Sequence, residues 1–153
     1  LPYLSGERTP HNDSEIQGSI TGVFTDTSVE DLTRGVLEGV AFALRDCFDA
    51  LTAQDARMDQ LIAIGGGTKS RYWLRLISTV LNVPLQLPKS GEFGAALGAA
   101  RLGMAASTRA PMDSIITPPS ICETIDPDPT LLETFGEAHR AFAAAYPAIK
   151  RIQ

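Results

Sequence analysis

Residues 61–71 read Leu-Ile-Ala-Ile-Gly-Gly-Gly-Thr-Lys-Ser-Arg. Four apolar residues that are typical of a buried strand end in three glycines, and a helical pattern follows. Because glycine loses more conformational entropy on folding than any other residue, three in a row need a reason. The usual reason is that the backbone approaches a ligand closely, most often a nucleotide at the start of a helix. A tight turn without a ligand is the alternative interpretation, and the pattern favours the ligand.

Two familiar glycine motifs do not fit this turn. A P-loop requires glycine directly before its lysine, whereas Thr68 precedes Lys69. A dinucleotide fingerprint requires Gly-x-Gly-x-x-Gly, but Ser70 occupies the third position and no acid closes the next strand. The interpretation of this region as a dehydrogenase-type dinucleotide domain is therefore supported by the glycine turn alone. The remaining interpretation is a strand–glycine–helix edge that supports a base and ribose, with Thr68, Ser70 and Arg71 placed to meet hydroxyls or phosphates.

The clearest predicted helix begins at Ser28. The sequence Ser28-Val-Glu-Asp31 has the form of a capping box. Apolar residues then recur every three or four positions and form one stripe; they are Val29, Leu32, Val36, Val40, Leu44, Cys47 and Leu51. Gly35 and Gly39 lie one turn apart, which predicts close packing of another element. Glu38 lies between them, and we expect it to pair with Arg34 or with a backbone amide rather than to be a functional carboxylate.

The first half of the chain predicts alternating elements. Residues 1–15 are rich in turn formers and are expected to form a loop, and residues 16–24 suit a strand with a bend. Short strands are predicted over 61–64 and 85–87, separated by a helix over 70–81. Strands and helices that alternate in this way predict an α/β layered domain with parallel strand pairs. Ligands of such sheets bind at the carboxyl ends of strands, where the three glycines lie.

The second half predicts two helices and an irregular stretch between them. A helix of small residues is expected over 92–105. Residues 107–130 contain five prolines and predict a Pro-rich surface segment. A terminal amphipathic helix is predicted over 131–146, with Pro147 as its end.

The composition and net charge of the chain restrict the classes of function that it could have. The 153 residues are 44% hydrophobic and 20% charged, with a net charge of −5, which fits one globular domain. The negative charge argues against binding to nucleic acid or to anionic membranes. Cys47 and Cys122 lie far apart, so we expect a buried thiol at Cys47, no disulfide, and a cytoplasmic location. The chain begins at Leu1 without Met, so we expect a fragment of a longer protein.

Three segments in this order resemble the C-terminal domain of the FGGY carbohydrate kinases, most closely the members that act on D-xylulose. Residues 1–11 read Leu-Pro-Tyr-Leu-Ser-Gly-Glu-Arg-Thr-Pro-His, a loop of that type. Residues 22–44 end in Leu-Thr-Arg-Gly-Val-Leu-Glu-Gly-Val-Ala-Phe-Ala-Leu and resemble the second family signature. Residues 64–73, Ile-Gly-Gly-Gly-Thr-Lys-Ser-Arg-Tyr-Trp, followed by 94–100, resemble the adenosine motif and closing helix.

The resemblance implies an α/β fold of the actin-like, ribonuclease H-like ATPase type, here partial, with a mixed sheet and flanking helices. Residues 1–153 would be the C-terminal nucleotide-binding domain. In this family two such domains close over ATP and a sugar, and the γ-phosphoryl group of MgATP passes to a sugar hydroxyl. The implied product is D-xylulose 5-phosphate, and the implied cofactors are ATP and Mg²⁺. The sugar would bind through an N-terminal domain that this chain lacks.

The resemblance also implies a nucleotide site in this chain. Its residues are Gly65, Gly66, Gly67, Ser70 and Arg71. Gly66 and Gly67 would pack against the adenine, and Ser70 or Arg71 would stand where some relatives carry an asparagine.

The resemblance also implies roles for two residues of the N-terminal loop and for Trp73. Glu7 and Arg8 would face the cleft between the two domains, and Trp73 would be a packing residue. No residue of this chain is expected to be catalytic or to bind a metal, because the family's catalytic aspartate and phosphate hairpin precede these segments. A non-catalytic actin-like regulatory or assembly module stays open, as does a kinase for ribulose, gluconate or glycerol. An unpaired sheet edge would allow a homodimer.

Overall fold

Helices and strands alternate along most of the chain in the computed structural model, which describes residues 1–89 and 94–153. The helices are α1 (Val29–Thr52), α2 (Arg71–Leu81), α3 (Gly94–Thr108), α4 (Met112–Ile115) and α5 (Leu132–Lys150). The strands are β1 (Leu61–Ile62), β2 (Leu85–Pro88) and β3 (Ile121–Ile125). A 3₁₀ turn covers Gly66–Lys69 between β1 and α2. The first two residues of the helix predicted over 92–105 lie outside the described residues.

The three strands form a mixed sheet in the order β1-β2-β3. Strands β1 and β2 are parallel, with Leu61 opposite Leu85, which confirms the parallel pair predicted on either side of α2. Strand β3 runs antiparallel to β2, with Ile125 opposite Leu85. Both β3 and α4 lie inside the segment 107–130, for which the sequence pattern predicted no element.

The strand predicted over 16–24 is wrong. These residues have no strand conformation, and Ile20, Val23 and Phe24 are exposed. A strand needs a neighbour that accepts its backbone hydrogen bonds. Here the segment meets Leu1 at one point, where Leu1 N donates to Ser19 O (2.8 Å) and Ser19 N donates to Leu1 O (2.9 Å).

Helix α1 starts as its sequence predicts. The Ser28 hydroxyl accepts from the Asp31 amide, and the Asp31 carboxylate accepts from the Ser28 amide, which completes the capping box. Arg34 Nε lies 2.6 Å from Glu38 Oε1, so the predicted pair is confirmed. The close packing predicted at Gly35 is not found among the described residues, since no atom lies within 4 Å of the position a side chain would take.

The main apolar cluster joins α1, α2 and α5. Its buried members are Ala41, Phe42, Leu76, Val80 and Phe135. Helix α1 thus buries the face that carries Ala41 and Phe42, while most of the predicted stripe lines open clefts. A second cluster, formed by Leu74, Leu85 and Leu87, fixes α2 on the sheet. Among the described residues, no helix has the length and apolar character that a membrane crossing requires.

Both cysteines are free thiols. Cys47 Sγ donates to the Thr9 carbonyl (3.2 Å), and Cys122 Sγ donates to the Leu87 carbonyl (3.2 Å). Cys47 is half-buried rather than fully buried, and burial raises the pKa of its thiol. The prediction that the two do not form a disulfide is confirmed.

Helix α5 continues through Pro147 to Lys150, so the end predicted at Pro147 is wrong. The last turns of the helix hold the N-terminal loop in place. Tyr146 Oη donates to Asp13 Oδ2 (2.8 Å), and Lys150 Nζ lies 2.6 Å from the same oxygen. The His11 ring stacks on Tyr146 with centroids 3.6 Å apart. We call these four residues, His11, Asp13, Tyr146 and Lys150, the terminal clamp. These contacts hold the last turns of the helix, where Pro147 removes one backbone hydrogen bond.

The terminal clamp gives a testable dependence of stability on pH. Hydrogen bonds from Lys150 and Tyr146 hold the pKa of the Asp13 carboxyl well below its usual range. The unfolded chain therefore binds a proton at Asp13 more readily than the folded chain, so this contribution is complete above about pH 4–5 and falls as the pH is lowered further. We expect the free energy of unfolding, measured with urea between pH 6 and pH 2, to fall less steeply in Asp13→Asn and in Lys150→Met. An unchanged slope in both variants would contradict the role of Asp13.

Candidate nucleotide site

The glycine turn lies where β1 gives way to α2. Gly65 has φ +93° and ψ −178°, a conformation that side chains with a Cβ rarely adopt. Its carbonyl accepts from the Thr68 amide (3.2 Å) and from the Thr68 hydroxyl (2.7 Å), which closes the turn. The backbone conformation alone thus explains the first glycine.

Gly66 is different, because neither its backbone nor a neighbour requires glycine. Its φ lies outside the left-handed region, and no atom of residues 1–89 or 94–153 lies within 4 Å of the position of a Cβ. The residue is exposed. The absence of a side chain therefore leaves the backbone of Gly66 accessible from outside, which is the condition for close approach of a flat ligand.

Gly67 is explained by packing within the chain. A Cβ atom on Gly67 would lie 2.7 Å from Cζ3 and 3.2 Å from Cε3 of Trp73. Trp73 also packs against the main apolar cluster, so the prediction that it is a packing residue is confirmed. The sequence interpretation placed adenine against Gly67 and gave this as the reason for glycine. The structure gives a second reason, since the indole ring takes the space of the missing side chain.

Ser70 and Arg71 make contacts inside the chain. The Ser70 hydroxyl accepts from the Trp73 amide (3.3 Å) and caps α2. Arg71 forms an ion pair with Glu123 on β3, which raises the pKa of the guanidinium. No sequence signal pointed to Glu123, because its pairing depends on the position of β3. The nucleotide contact predicted for Ser70 or Arg71 stays a prediction.

The cap at Ser70 can be tested by its effect on stability. Replacing Ser70 by alanine leaves the Trp73 amide without its acceptor, so we expect a loss of about 0.5–1 kcal/mol in the free energy of unfolding. Urea denaturation measures it. Ser107→Ala on α3 is the matched control, since the Ser107 hydroxyl bonds to the Met104 carbonyl within an exposed helix. Equal stability of Ser70→Ala and wild type would contradict the capping role.

Glu7 and Arg8 lie in the N-terminal loop. Glu7 Oε2 accepts from the His11 amide (2.7 Å), and the backbones of Glu7 and Asp13 exchange two hydrogen bonds of 2.7 Å. The Arg8 side chain is exposed. Glu7 therefore shapes the loop, while Arg8 is available for contacts with other molecules or domains.

The residues that the structure describes hold no group of three or more His, Cys, Asp or Glu side chains that could bind a metal ion. We assign Mg²⁺ to no residue of this chain.

Comparison with known proteins decides the family. Residues 1–107 match the C-terminal domain of the FGGY family of carbohydrate kinases. The chain belongs to this family. Xylulose kinase from Klebsiella pneumoniae is 34% identical over 151 residues, which are 98% of this chain and 31% of that protein. The FGGY resemblance drawn from three sequence segments is thereby confirmed.

Solved structures of the family show the same fold. A structure described as xyloylose kinase from Brucella ovis superimposes with a TM-score of 0.89 at 50% identity, covering 100% of this chain and 32% of that one. Glycerol kinase from Plasmodium falciparum, solved with ADP, gives a TM-score of 0.71 at 25% identity, covering 95% of this chain and 30% of that one. The predicted partial actin-like α/β fold is confirmed. This FGGY chain spans about a third of the length of these relatives.

Proposed function

We propose that the protein containing this FGGY domain phosphorylates D-xylulose with ATP, and that this chain supplies the adenosine-binding wall. The observation that carries the proposal is the open backbone at Gly66, placed where a parallel strand gives way to a helix. Ligands of α/β sheets bind at this position. The family membership of residues 1–107 supports a nucleotide as the ligand.

In this proposal the chain binds and orients the nucleotide and leaves the chemistry to other residues. Gly65 sets the turn, Gly66 presents its backbone to the adenine, and the cap at Ser70 holds the start of α2. During transfer the bond between the γ-phosphorus and its bridging oxygen breaks, and a bond to the sugar hydroxyl oxygen forms. The hydroxyl proton passes to a base that this chain does not supply. Catalysis of this kind depends mainly on positioning and charge neutralisation, for which we propose Mg²⁺ as the companion of ATP.

The identity of the sugar that accepts the phosphoryl group is proposed from the names of related proteins. The relative from Klebsiella pneumoniae is named xylulose kinase, which favours D-xylulose. The likeness to glycerol kinase shows that the same fold serves another acceptor. We therefore propose D-xylulose first and another polyol or sugar second. The free thiols at Cys47 and Cys122 support a reducing compartment, and we propose the cytoplasm.

A coupled assay of ADP release tests the proposal. It is run with MgATP and D-xylulose on this chain and on the product read from its natural start codon, with ribulose, gluconate and glycerol as parallel acceptors. We expect activity with D-xylulose in the longer product only. Activity with another acceptor would correct the sugar, and ADP binding without activity on any acceptor would favour the non-catalytic module.

A further inference from the structure

We propose that Trp73 is a positioning residue of the nucleotide turn, and that Gly67 is glycine because the Trp73 indole occupies the space of its side chain. The inference rests on the proposed nucleotide site, since it concerns the distance at which the turn meets the adenine. Its basis is the contact between the two residues. A Cβ on Gly67 would overlap Cζ3 of Trp73 at 2.7 Å, closer than real Cβ atoms approach a neighbour.

The indole ring connects the turn to the interior of the domain. Trp73 packs against the main apolar cluster that joins α1, α2 and α5, and its amide donates to Ser70 at the helix start. The ring is thus supported from behind by the cluster while its outer edge meets Gly67. Trp73 is only partly buried and lines a cleft with Gly67. Its contact with the cluster is therefore what limits movement of the ring away from the turn.

The indole N–H supports a role in shape rather than in hydrogen bonding. Trp73 Nε1 is buried and has no hydrogen-bond partner among the described residues. A buried donor without a partner is destabilising, and a phenyl ring would avoid it. A phenyl ring would also be shorter and would leave a gap under Gly67. Phenylalanine at this position therefore removes the support of the turn without breaking a hydrogen bond.

Two explanations of Gly67 give different results in a double-mutant cycle. If the ligand alone requires glycine, Gly67→Ala weakens nucleotide binding whichever residue stands at position 73. If Trp73 requires it, the methyl group of Gly67→Ala displaces the turn when the indole is present and fits into the gap when the ring is smaller. Coupling between contacting residues is the signature that such cycles detect.

The experiment uses the full-length protein and four variants: Gly67→Ala, Trp73→Phe, their combination, and Trp73→Leu as a second truncation. Calorimetry measures the Kd for ADP, because three of the four variants lack Trp73, the chain's one tryptophan, and with it the fluorescence signal that a comparison would need. Urea unfolding of the same proteins measures coupling between the two positions without any nucleotide. Steady-state kinetics separate KM for ATP from kcat.

We expect each single change to displace the turn and weaken ADP binding about tenfold. The combination should bind ADP better than Gly67→Ala alone. KM for ATP should rise while kcat at saturating ATP stays near wild type, because the displaced turn is remote from the reacting phosphate. Trp73→Leu should reproduce the effect of Trp73→Phe on the Kd. The loss of unfolding free energy in the combined variant should be smaller than the sum of the two single losses.

Other results would overturn the inference. Wild-type ADP affinity in both Trp73→Phe and Trp73→Leu would show that the indole does not position the turn. Equal ADP affinity of Gly67→Ala with and without the second change would assign the glycine to the ligand. If wild type fails to bind ADP, the nucleotide site itself is wrong, and coupling in the unfolding data then separates that failure from a failure of the Gly67–Trp73 contact.

Discussion

Replacement of Gly66 by valine is expected to weaken ADP binding by about a hundredfold or more, while the domain stays folded. Among the residues that the structure describes, no atom lies within 4 Å of the position of a Cβ at Gly66, and its backbone does not require glycine. A branched side chain there projects into the open space that we assign to the adenine. Loss of close contact over a whole base should cost about two orders of magnitude in Kd, or about 2.8 kcal/mol of binding free energy. Calorimetry with ADP measures the effect.

Gly103→Val is the matched control for this prediction. Gly103 lies in α3, is exposed, and also has no described atom within 4 Å of its Cβ position. The same change of residue type should therefore leave ADP affinity unaltered. Unfolding midpoints of both variants should lie near wild type. Equal ADP affinity in Gly66→Val and wild type would show that the adenine does not bind at this face of the turn.

The glycine turn could be predicted from the sequence because its signal is local. An apolar run, three glycines and a capping serine are contiguous, and Gly65, Ser70 and α2 take the conformations that such a pattern predicts. The capping box at Ser28 was predictable for the same reason. Local backbone preferences and short-range hydrogen bonds decide these features.

The separate roles of the three glycines could not be predicted from the sequence. The sequence does not distinguish a glycine that adopts a left-handed φ from one that leaves open space or one that accommodates a ring. Gly67 and Trp73 stand six positions apart, and only the bend of the turn brings the indole under the glycine. The sequence therefore predicted ligand contact at Gly67, where the chain itself fills the side-chain position.

Long-range pairing explains the other differences. Strand β3 forms because β2 offers an edge to it, although its own segment contains several prolines. Helix α5 continues past Pro147 because Tyr146 and Lys150 bond to Asp13, more than 130 residues away. Residues 16–24 have the composition of a strand but no partner strand among the described residues. Tertiary contacts override local propensity in all three cases.

Phe42→Ala is expected to give the largest loss of stability, about 3–5 kcal/mol in the free energy of unfolding. The Phe42 ring is 5% exposed. It meets Phe135 at 6.4 Å and Phe142 at 5.5 Å between ring centroids. Truncation removes the buried area of a whole ring and leaves a cavity where α1 meets α5. Urea denaturation of the two proteins measures the difference.

Phe24→Ala is the matched control, because the Phe24 side chain is 73% exposed. The same change there should alter the free energy of unfolding by no more than about 0.5 kcal/mol. Because Phe42 holds α5 and α5 carries the terminal clamp, Phe42→Ala should also speed hydrogen exchange at the amides of Glu7 and Asp13, whose backbone bonds close the N-terminal loop. If Phe42→Ala loses stability without faster exchange in that loop, the loop is held independently of the main apolar cluster. If the two phenylalanine variants lose equal stability, the cluster is not the core that the structure shows.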